Sequence, residues 1–440
     1  MRKVSFVTLG CKVNQYDTQS MQKAFLDRGF EIARDEEPAD AVIVNTCTVT
    51  GEADRKSRQM IRRAVRRNPG ALIVAAGCFV QGNPEAAGAI DGVAITAGAS
   101  DRAGLVEAVV EALDASASKR ASLVKDIDAF GVYEEIAAEG TDGMSRAYLK
   151  IEDGCDAYCS YCYVPYVRGH VRSRSIESIA QEAERLAKAG YAEVILTGIH
   201  LGCYGKDFGG KPGLADAARA VCAVQGIKRV RISSLEPTEL SEDLLELFEA
   251  EPKLARHLHL PLQSGDDRIL RAMNRHYDSG YYIEAVEGAR KRLGDIGITT
   301  DIIVGFPGET EEMFENTLSL VTRLEFMHVH AFPYSIRRGT PAATMPGQVP
   351  EKVKADRLRR LVEESSLSKE RILSAMRGRI FEVVLESEIM QGGSGAAYEG
   401  YTSEYARVRF TSETEPSGMV AVLVEGHCGE YATGRSASNI

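Results

Sequence analysis

Cys155, Cys159 and Cys162 lie in one short segment, C-D-A-Y-C-S-Y-C, separated by three residues and then by two. Thiolates at that spacing can grip a single metal centre from one loop. An iron–sulfur cluster held by cysteines ordinarily takes one thiolate per iron. Three thiolates on a 4Fe–4S cluster leave one iron open, and an open coordination position makes a metal site reactive rather than structural. Zinc is the plainer alternative. Zinc sites pair C-x(2–4)-C with a second Cys or His pair, and here His170 is the nearest candidate, with no second pair after it.

Three of the other six cysteines follow apolar runs. Cys11, Cys47 and Cys78 come after runs at 4–9, 41–45 and 72–76, each read as a strand, with a fourth strand at 93–96. Helical stretches at 14–28, 52–67, 84–90 and 102–113 follow the strands. This alternation predicts a doubly wound parallel sheet over residues 1–113. Such sheets bind ligands beyond the carboxyl ends of their strands. Scattered buried cysteines are common, but one at each of three successive strand ends predicts a second metal site on one sheet edge. Gly10 and Gly77 would let the backbone approach a bulky ligand closely. Cys203, Cys222 and Cys428 are expected to be free thiols.

The helical stretch after Cys47 carries Arg55, Lys56, Arg58, Arg62, Arg63, Arg66 and Arg67 with no acid among them. Met60, Ile61, Ala64 and Val65 form its apolar side. Like charges at i, i+4 spacing repel, and a merely solvated face mixes its signs; the run is therefore read as a phosphate-binding face. Arg168, Arg172 and Arg174, with His170, add positive charge just after the cysteine loop and are expected RNA contacts. The whole chain has a net charge of −10, which argues against nucleic-acid binding by bulk charge and leaves the work to these patches. No apolar run reaches the length of a membrane span, and the N-terminus lacks the pattern of a signal peptide. No membrane partner and a cytoplasmic location are expected, where thiols stay reduced.

Residues 114–145, rich in Ala, Ser and Gly, read as a linker with one short strand near 130–134. Strands at 147–151, 193–197, 229–233, 257–262, 299–304 and 327–332, alternating with helices, then predict a partial (β/α)6 barrel over 146–372. The cysteine loop follows its first strand at the carboxyl end, where barrels keep their chemistry. Other strand ends carry Thr197, Gly198, Ser233, Glu236 and Gln263, with Asp301 inside the fifth strand. Neither common nucleotide motif is present, because G-I-H-L-G-C-Y-G-K has His200 where the first Gly of a P-loop belongs. Residues 373–440 hold short alternating strands between Gly-rich turns and predict a small OB-like β-barrel, a shape often used to hold RNA. From 377 onward it has five basic against nine acidic residues, a sign that opposes generic phosphate binding.

The cysteine loop, with Tyr161 before its last cysteine, is similar to the signature of radical S-adenosylmethionine enzymes. The chain as a whole resembles the methylthiotransferases of that superfamily, with 1–113 as their N-terminal domain, 146–372 as the radical domain and 373–440 as a TRAM domain. The resemblance implies that Cys155, Cys159 and Cys162 hold a 4Fe–4S cluster whose open iron binds S-adenosylmethionine and releases a 5′-deoxyadenosyl radical. It implies that Cys11, Cys47 and Cys78 hold an auxiliary 4Fe–4S cluster carrying sulfur, and that Tyr161, Thr197, Gly198, Ser233, Glu236, Gln263 and Asp301 bind the cofactor. One cofactor molecule would methylate that sulfur, and a second would yield the radical that takes a hydrogen from the substrate carbon. T-L-G-C-K-V-N-Q-Y-D-T (8–18) and N-T-C-T-V-T-G-E-A-D-R-K-S-R (45–58) resemble the subgroup acting on N6-threonylcarbamoyladenosine beside the tRNA anticodon. The anticodon stem-loop is then the partner of the basic helix, with a flavodoxin- or ferredoxin-type protein as reductant. Relatives that modify isopentenyladenosine, or an aspartate of a ribosomal protein, are the alternatives within the family. A non-catalytic iron–sulfur redox sensor that binds RNA is the alternative outside it.

Overall fold

Short runs of β-branched and aliphatic residues, each followed by an amphipathic stretch, can bury both faces of a strand only in a sheet covered on two sides. The computed structural model describes residues 1–34, 37–115, 120–138, 140, 145–390 and 396–437. Its first part runs β1 (Lys3–Thr8), α1 (Lys12–Leu26), β2 (Glu31–Ile32), β3 (Ala41–Thr46), α2 (Gly51–Arg67), β4 (Leu72–Gly77), α3 (Cys78–Gly82), α4 (Pro84–Gly88), β5 (Val93–Thr96), α5 (Arg102–Asp114) and β6 (Ala121–Ser122). The sheet is parallel in the order β2-β1-β3-β4-β5-β6. Phe25 of α1 and Val106 of α5 pack on one face, and Ile61 of α2 and Ala87 of α4 on the other. The strand order reverses between β1 and β3, the place where such sheets open a crevice for ligands. Cys11 follows β1 and Cys47 follows β3.

The second part runs β7 (Arg146–Lys150), β8 (Glu152–Asp153), α6 (Val164–Arg168), β9 (Arg172–Ser173), α7 (Ile176–Lys188), β10 (Glu193–Thr197), α8 (Leu214–Cys222), β11 (Arg229–Ile232), α9 (Glu242–Ala250), β12 (His257–His259), α10 (Asp267–Ala272), α11 (Ser279–Leu293), β13 (Gly297–Val304), α12 (Glu311–Leu324), β14 (His328–Pro333) and α13 (Glu351–Ala375). Strands β7, β10 and β11 form one parallel sheet, and β12, β13 and β14 another. Single bridges at Val230–Leu254 and Ser234–His259 join them into six strands of an open barrel. Val194, Leu196, Val230, Ile232, Ile302 and Val304 pack outward in the helix-side core, so the alternate residues face the barrel axis. Ser175 caps α7 by accepting the Ser178 N–H.

The last part is a closed barrel of β15 (Ile380–Met390), β16 (Ala396–Thr402), β17 (Arg407–Ser412), β18 (Met419–Cys428) and β19 (Tyr431–Ser436), in the order β15-β16-β17-β19-β18. It docks on the strand-start end of the partial barrel. Arg229 donates to the Tyr401 and Glu382 carbonyls, Arg231 donates to those of Thr402 and Ser403, and Tyr405 stacks on His257 at 4.5 Å.

Three expectations change. No strand forms near 130–134; the sheet gains β6 instead. The two-residue β2 is too short to show an alternation, and in β16 and β19 Gly and Thr dilute it. The segment read as a linker, apart from 116–119, 139 and 141–144, which lie outside the described residues, is packed between domains. Glu134 pairs with Arg102, Glu135 with Arg174, and the Tyr133 hydroxyl donates to the Lys150 carbonyl at 2.9 Å. Among the described residues no helix is long and apolar enough to cross a membrane.

Candidate active site

Cys155, Cys159 and Cys162 sit on the loop between β8 and β9, beyond the carboxyl end of β7. All three are free thiols. Donors converge on their sulfurs: the Ala157 N–H on Cys155 at 3.5 Å, the Val164 N–H on Cys162 at 3.4 Å, and Arg275 Nη1 on Cys159 at 3.2 Å. Burial, and then the neighbouring Cys159, push the Cys162 thiol up to about 12. Neutral thiols accept N–H bonds poorly, whereas thiolates bound to a cluster accept them readily, and each of the three sulfurs has one donor. The loop therefore fits a three-thiolate cluster. Tyr161 packs against the apolar group of Met273, Phe306 and Tyr334, while its hydroxyl feels the charges of Arg275, Cys159, Cys162 and Glu236 at the cysteine loop and cavity wall.

A cavity of 220 Å³ opens beside Cys159, lined by His200, Lys206, Glu236, Glu239 and Arg275 among others. Arg275 also pairs with Glu236, so one guanidinium ties the cavity wall to a cluster sulfur. His200 Nδ1 lies 3.4 Å from Cys155 Sγ and 3.2 Å from Cys203 Sγ, and its Nε2 lies 2.8 Å from Glu239. Behind it, a Cβ on Gly198 would come within 2.5 Å of Glu152 Oε2. That oxygen accepts the His200 N–H at 2.8 Å, while Glu152 Oε1 has no partner. Burial pushes the Glu152 carboxyl up to about 8. Both cations and carboxylates line the cavity, as a zwitterionic sulfonium amino acid requires.

The second trio is assembled from strand ends. Gly10, at φ +102°, lies so close that a Cβ there would meet Cys47 Cβ and Sγ at 2.9 Å. The Asn14 side chain donates to the Leu9 and Thr46 carbonyls and draws the two loops together. Burial pushes the Cys47 thiol up to about 11, and Cys78 and Cys11 add to that push. Arg168 Nε donates to Cys78 Sγ at 3.3 Å, and its Nη1 reaches Asp17 at 2.8 Å and Asp153 at 3.1 Å. Lys150 bonds the same two carboxylates at 3.0 and 2.6 Å. Arg102 and Arg172 approach them as well. Burial would raise the Asp17 carboxyl, but Arg102, Lys150 and Arg168 hold it down at about 2. Four cations thus face Asp17, Asp153 and Glu134; burial pushes the Cys78 thiol up, and a cluster-bound thiolate there would balance the remaining charge. The donor set fits a thiolate-bound cluster here too.

Comparison with known proteins agrees with this geometry. The Radical SAM superfamily matches residues 149–321, and the uncharacterized protein family UPF0004 matches residues 3–98. The threonylcarbamoyladenosine tRNA methylthiotransferase MtaB of Bacillus subtilis (strain 168) is 38% identical, over 96% of this chain and 93% of its own length. The chain belongs to the radical S-adenosylmethionine methylthiotransferase family. It is therefore an enzyme whose cofactors are two 4Fe–4S clusters and S-adenosylmethionine. The tRNA-2-methylthio-N(6)-dimethylallyladenosine synthase of Acetivibrio thermocellus is 36% identical, over 86% of this chain and 79% of its own length. Among solved structures, the radical S-adenosylmethionine methyltransferase TsrM from Kitasatospora setae shares the fold, with a TM-score of 0.58 and 18% identity, covering 78% of this chain and 75% of that one.

For a methylthiotransferase of this kind, the residues expected to bind the cofactor do not all gather in one place. Glu236 lines the cavity beside Cys159. Thr197 is buried behind it, beside Gly198, and Ser233 is half-buried at the end of β11. Gln263 holds a left-handed conformation, φ +67°, and donates its N–H to the Asp301 carbonyl at 2.8 Å. Asp301 itself lies deeper in the barrel against His259, 3.4 Å away. The cavity residues Arg275, His200, Lys206 and Glu239 escaped the sequence reading. The G-I-H-L-G-C-Y-G-K segment, which lacks the spacing of a phosphate loop, holds two of them, His200 and Lys206.

The expected RNA contacts divide sharply. Arg168 and Arg174 are 1% exposed and Arg172 is 4% exposed, so none of the three is an RNA contact. Arg168 and Arg172 serve the Asp17–Asp153 network, and Arg174 pairs with Glu182 at 2.8 Å and with Glu135. On α2, Arg55 pairs with Glu52 and Arg58 lies half-buried over the Phe79 ring. Lys56, Arg62, Arg63, Arg66 and Arg67 are exposed.

Proposed function

We propose that this enzyme adds a methylthio group to carbon 2 of N6-threonylcarbamoyladenosine next to the tRNA anticodon. The observation that carries the reading is the meeting of the two trios at one interface. Cys78 packs against Val167 with Tyr163 beside it, and Tyr163 directly follows Cys162. Arg168, at the end of α6, bonds the Cys78 sulfur. Cys155, Cys159 and Cys162 would hold the cluster that binds S-adenosylmethionine in the cavity, and Cys11, Cys47 and Cys78 the auxiliary one. When bound, the first supplies the electron that cleaves the cofactor and the second carries the sulfur to be transferred. The chain's own residues position these centres. Arg275 fixes the Cys159 side against Glu236, and Arg168 fixes Cys78 against Asp17 and Asp153.

The basic face of α2 would track the phosphates of the anticodon stem. The C-terminal barrel offers shape and aromatic rings rather than bulk charge. Its Glu399 is taken by Arg407 and Arg409, Arg146 stacks on Tyr401 at 4.6 Å, and Arg409 stacks on Tyr431 at 3.9 Å. Stacked arginines and tyrosines are the usual surface for unpaired bases. A cytoplasmic location and a flavodoxin- or ferredoxin-type reductant complete the reading. The test is nucleoside analysis of tRNA from cells lacking this gene. Loss of the 2-methylthio mark from threonylcarbamoyladenosine alone is expected; loss from dimethylallyladenosine instead would overturn the substrate.

A further inference from the structure

The segment 332–338 leaves the last strand of the partial barrel and is bonded to both loops that carry thiolates. Tyr334 belongs to the apolar group that also receives Tyr161, from the Cys155–Cys162 loop. A little further on, the Ala342 N–H donates to the Ser160 carbonyl of that loop at 2.8 Å. On the other side, the Ser335 hydroxyl accepts the Gly51 N–H at 3.3 Å. Arg337 donates to the Thr48 carbonyl at 3.0 Å and to the Thr48 hydroxyl at 2.7 Å. Thr48 directly follows Cys47. Around this segment three large apolar side chains lack cover: Val49, Phe332 and Ile336 are each 49% exposed. Single exposed apolar residues are ordinary, but a group of them marks a binding surface.

Strand alternation gives the direction of Phe332. On β14, Val329 and Ala331 pack in the helix-side core, whereas the His330 ring meets that of His259 at 5.7 Å. Successive side chains point to opposite faces, so Phe332 shares the axis face with His330. It sits at the carboxyl end of the strand, in register with Ile303. Among the described residues no ring or guanidinium stacks on it. The two arginines that follow part company. Arg337 is buried, pairs with Asp54 at 3.2 Å and lies 4.0 Å over the Tyr163 ring. Arg338 is exposed and has no acidic partner among the described residues. Val49 leads into α2, where Lys56, Arg62, Arg63 and Arg66 are exposed. An apolar peptide would use the ring but not these cations; a nucleotide uses both. A base must leave its stack to reach reacting groups inside a protein, and an aromatic face replaces the stacking it loses.

We infer that the Phe332 ring stacks on the extruded base that the enzyme modifies, with Val49 and Ile336 at the rim and Arg338 on the adjoining phosphate. The inference rests on the tRNA reading above. The test uses cluster-loaded enzyme and three synthetic RNA hairpins. One is the anticodon stem-loop carrying threonylcarbamoyladenosine, one is the same loop abasic at that position, and one is an unrelated hairpin of equal length. Binding is measured by titration. Wild-type enzyme should favour the intact loop over the abasic one by about tenfold to a hundredfold. Phe332→Ala should erase most of that preference, with its affinity for the abasic loop and its iron content as in the wild type. Phe332→Leu, which keeps apolar bulk without the ring, should do the same, and Phe332→Trp should keep the preference. Arg338→Gln should weaken both loops alike and lower the log–log salt slope by about 0.7–0.9. If Phe332→Ala and Phe332→Leu distinguish intact from abasic loop as the wild type does, the inference falls alone. If the wild type binds the unrelated hairpin as tightly as the anticodon stem-loop, the tRNA reading falls and takes the inference with it.

Discussion

Cys155, Cys159 and Cys162 share one loop, and the amides of Ala157 and Val164, each two residues on, reach the sulfurs of the first and the last. Cys11, Cys47 and Cys78 come from three strand ends, and the guanidinium on Cys78 belongs to Arg168 in the other domain. The first site is mostly built by local chain geometry. The second is completed by the docking of the domains, because a buried cation and a buried carboxylate of the other domain desolvate together with Asp17 and Cys78. Disturbing the domain interface should therefore damage the second site first, although both sites use the same ligand chemistry.

The largest effects come from the ligands themselves. Cys159→Ala should drop both 5′-deoxyadenosine release and methylthiolation to background. Cys47→Ala should keep cofactor cleavage and abolish only methylthiolation, with iron falling from about eight to about four per chain. Methylthiolation at the normal rate by Cys47→Ala would end the two-site comparison.

Next comes Arg168→Met, which strands Asp17 and Asp153 beside fewer cations. A stability loss of about 3–5 kcal/mol is expected in denaturant titration, with auxiliary iron lost and the Cys155 loop still loaded. Equal loss of both clusters would erase the asymmetry. The same network predicts the acid limb. The Asp17 carboxyl is held at about 2 in the folded protein, against about 3.9 when unfolded. Its contribution, roughly 2–3 kcal/mol, is present above pH about 4 and disappears as the pH falls through about 2. Asp17→Asn should flatten that limb.

Arg275→Met sharpens the other side. Removing the N–H from Cys159 should lower the cluster potential and slow cofactor cleavage by about 10- to 100-fold. The auxiliary cluster should keep its spectrum; potentiometric titration checks both. The smallest effect belongs to α2. Arg62→Glu with Arg66→Glu should weaken stem-loop binding and reduce the log–log salt slope by at least about 0.7–0.9 per cation removed, with both clusters intact. An unchanged slope would remove α2 from the RNA surface.

The cysteine spacing, the Cys at each of three strand ends and the six βα units were written in the chain itself. Each is a local or periodic pattern, and the hydrophobic period together with turn glycines reports such patterns directly. The arginines were not legible in that way. Arg62 and Arg168 carry the same side chain in equally basic surroundings of sequence, yet Arg62 faces water and Arg168 is sealed against Asp17, which lies far away along the chain. Arg275 likewise acquires its meaning from Cys159 and Glu236, far from it along the chain. Sequence determined which residues could bind metal and which could carry charge. Only the docking of the domains decided which charges lost their water, and with it which of them hold sulfur, which hold carboxylates and which remain free for a substrate.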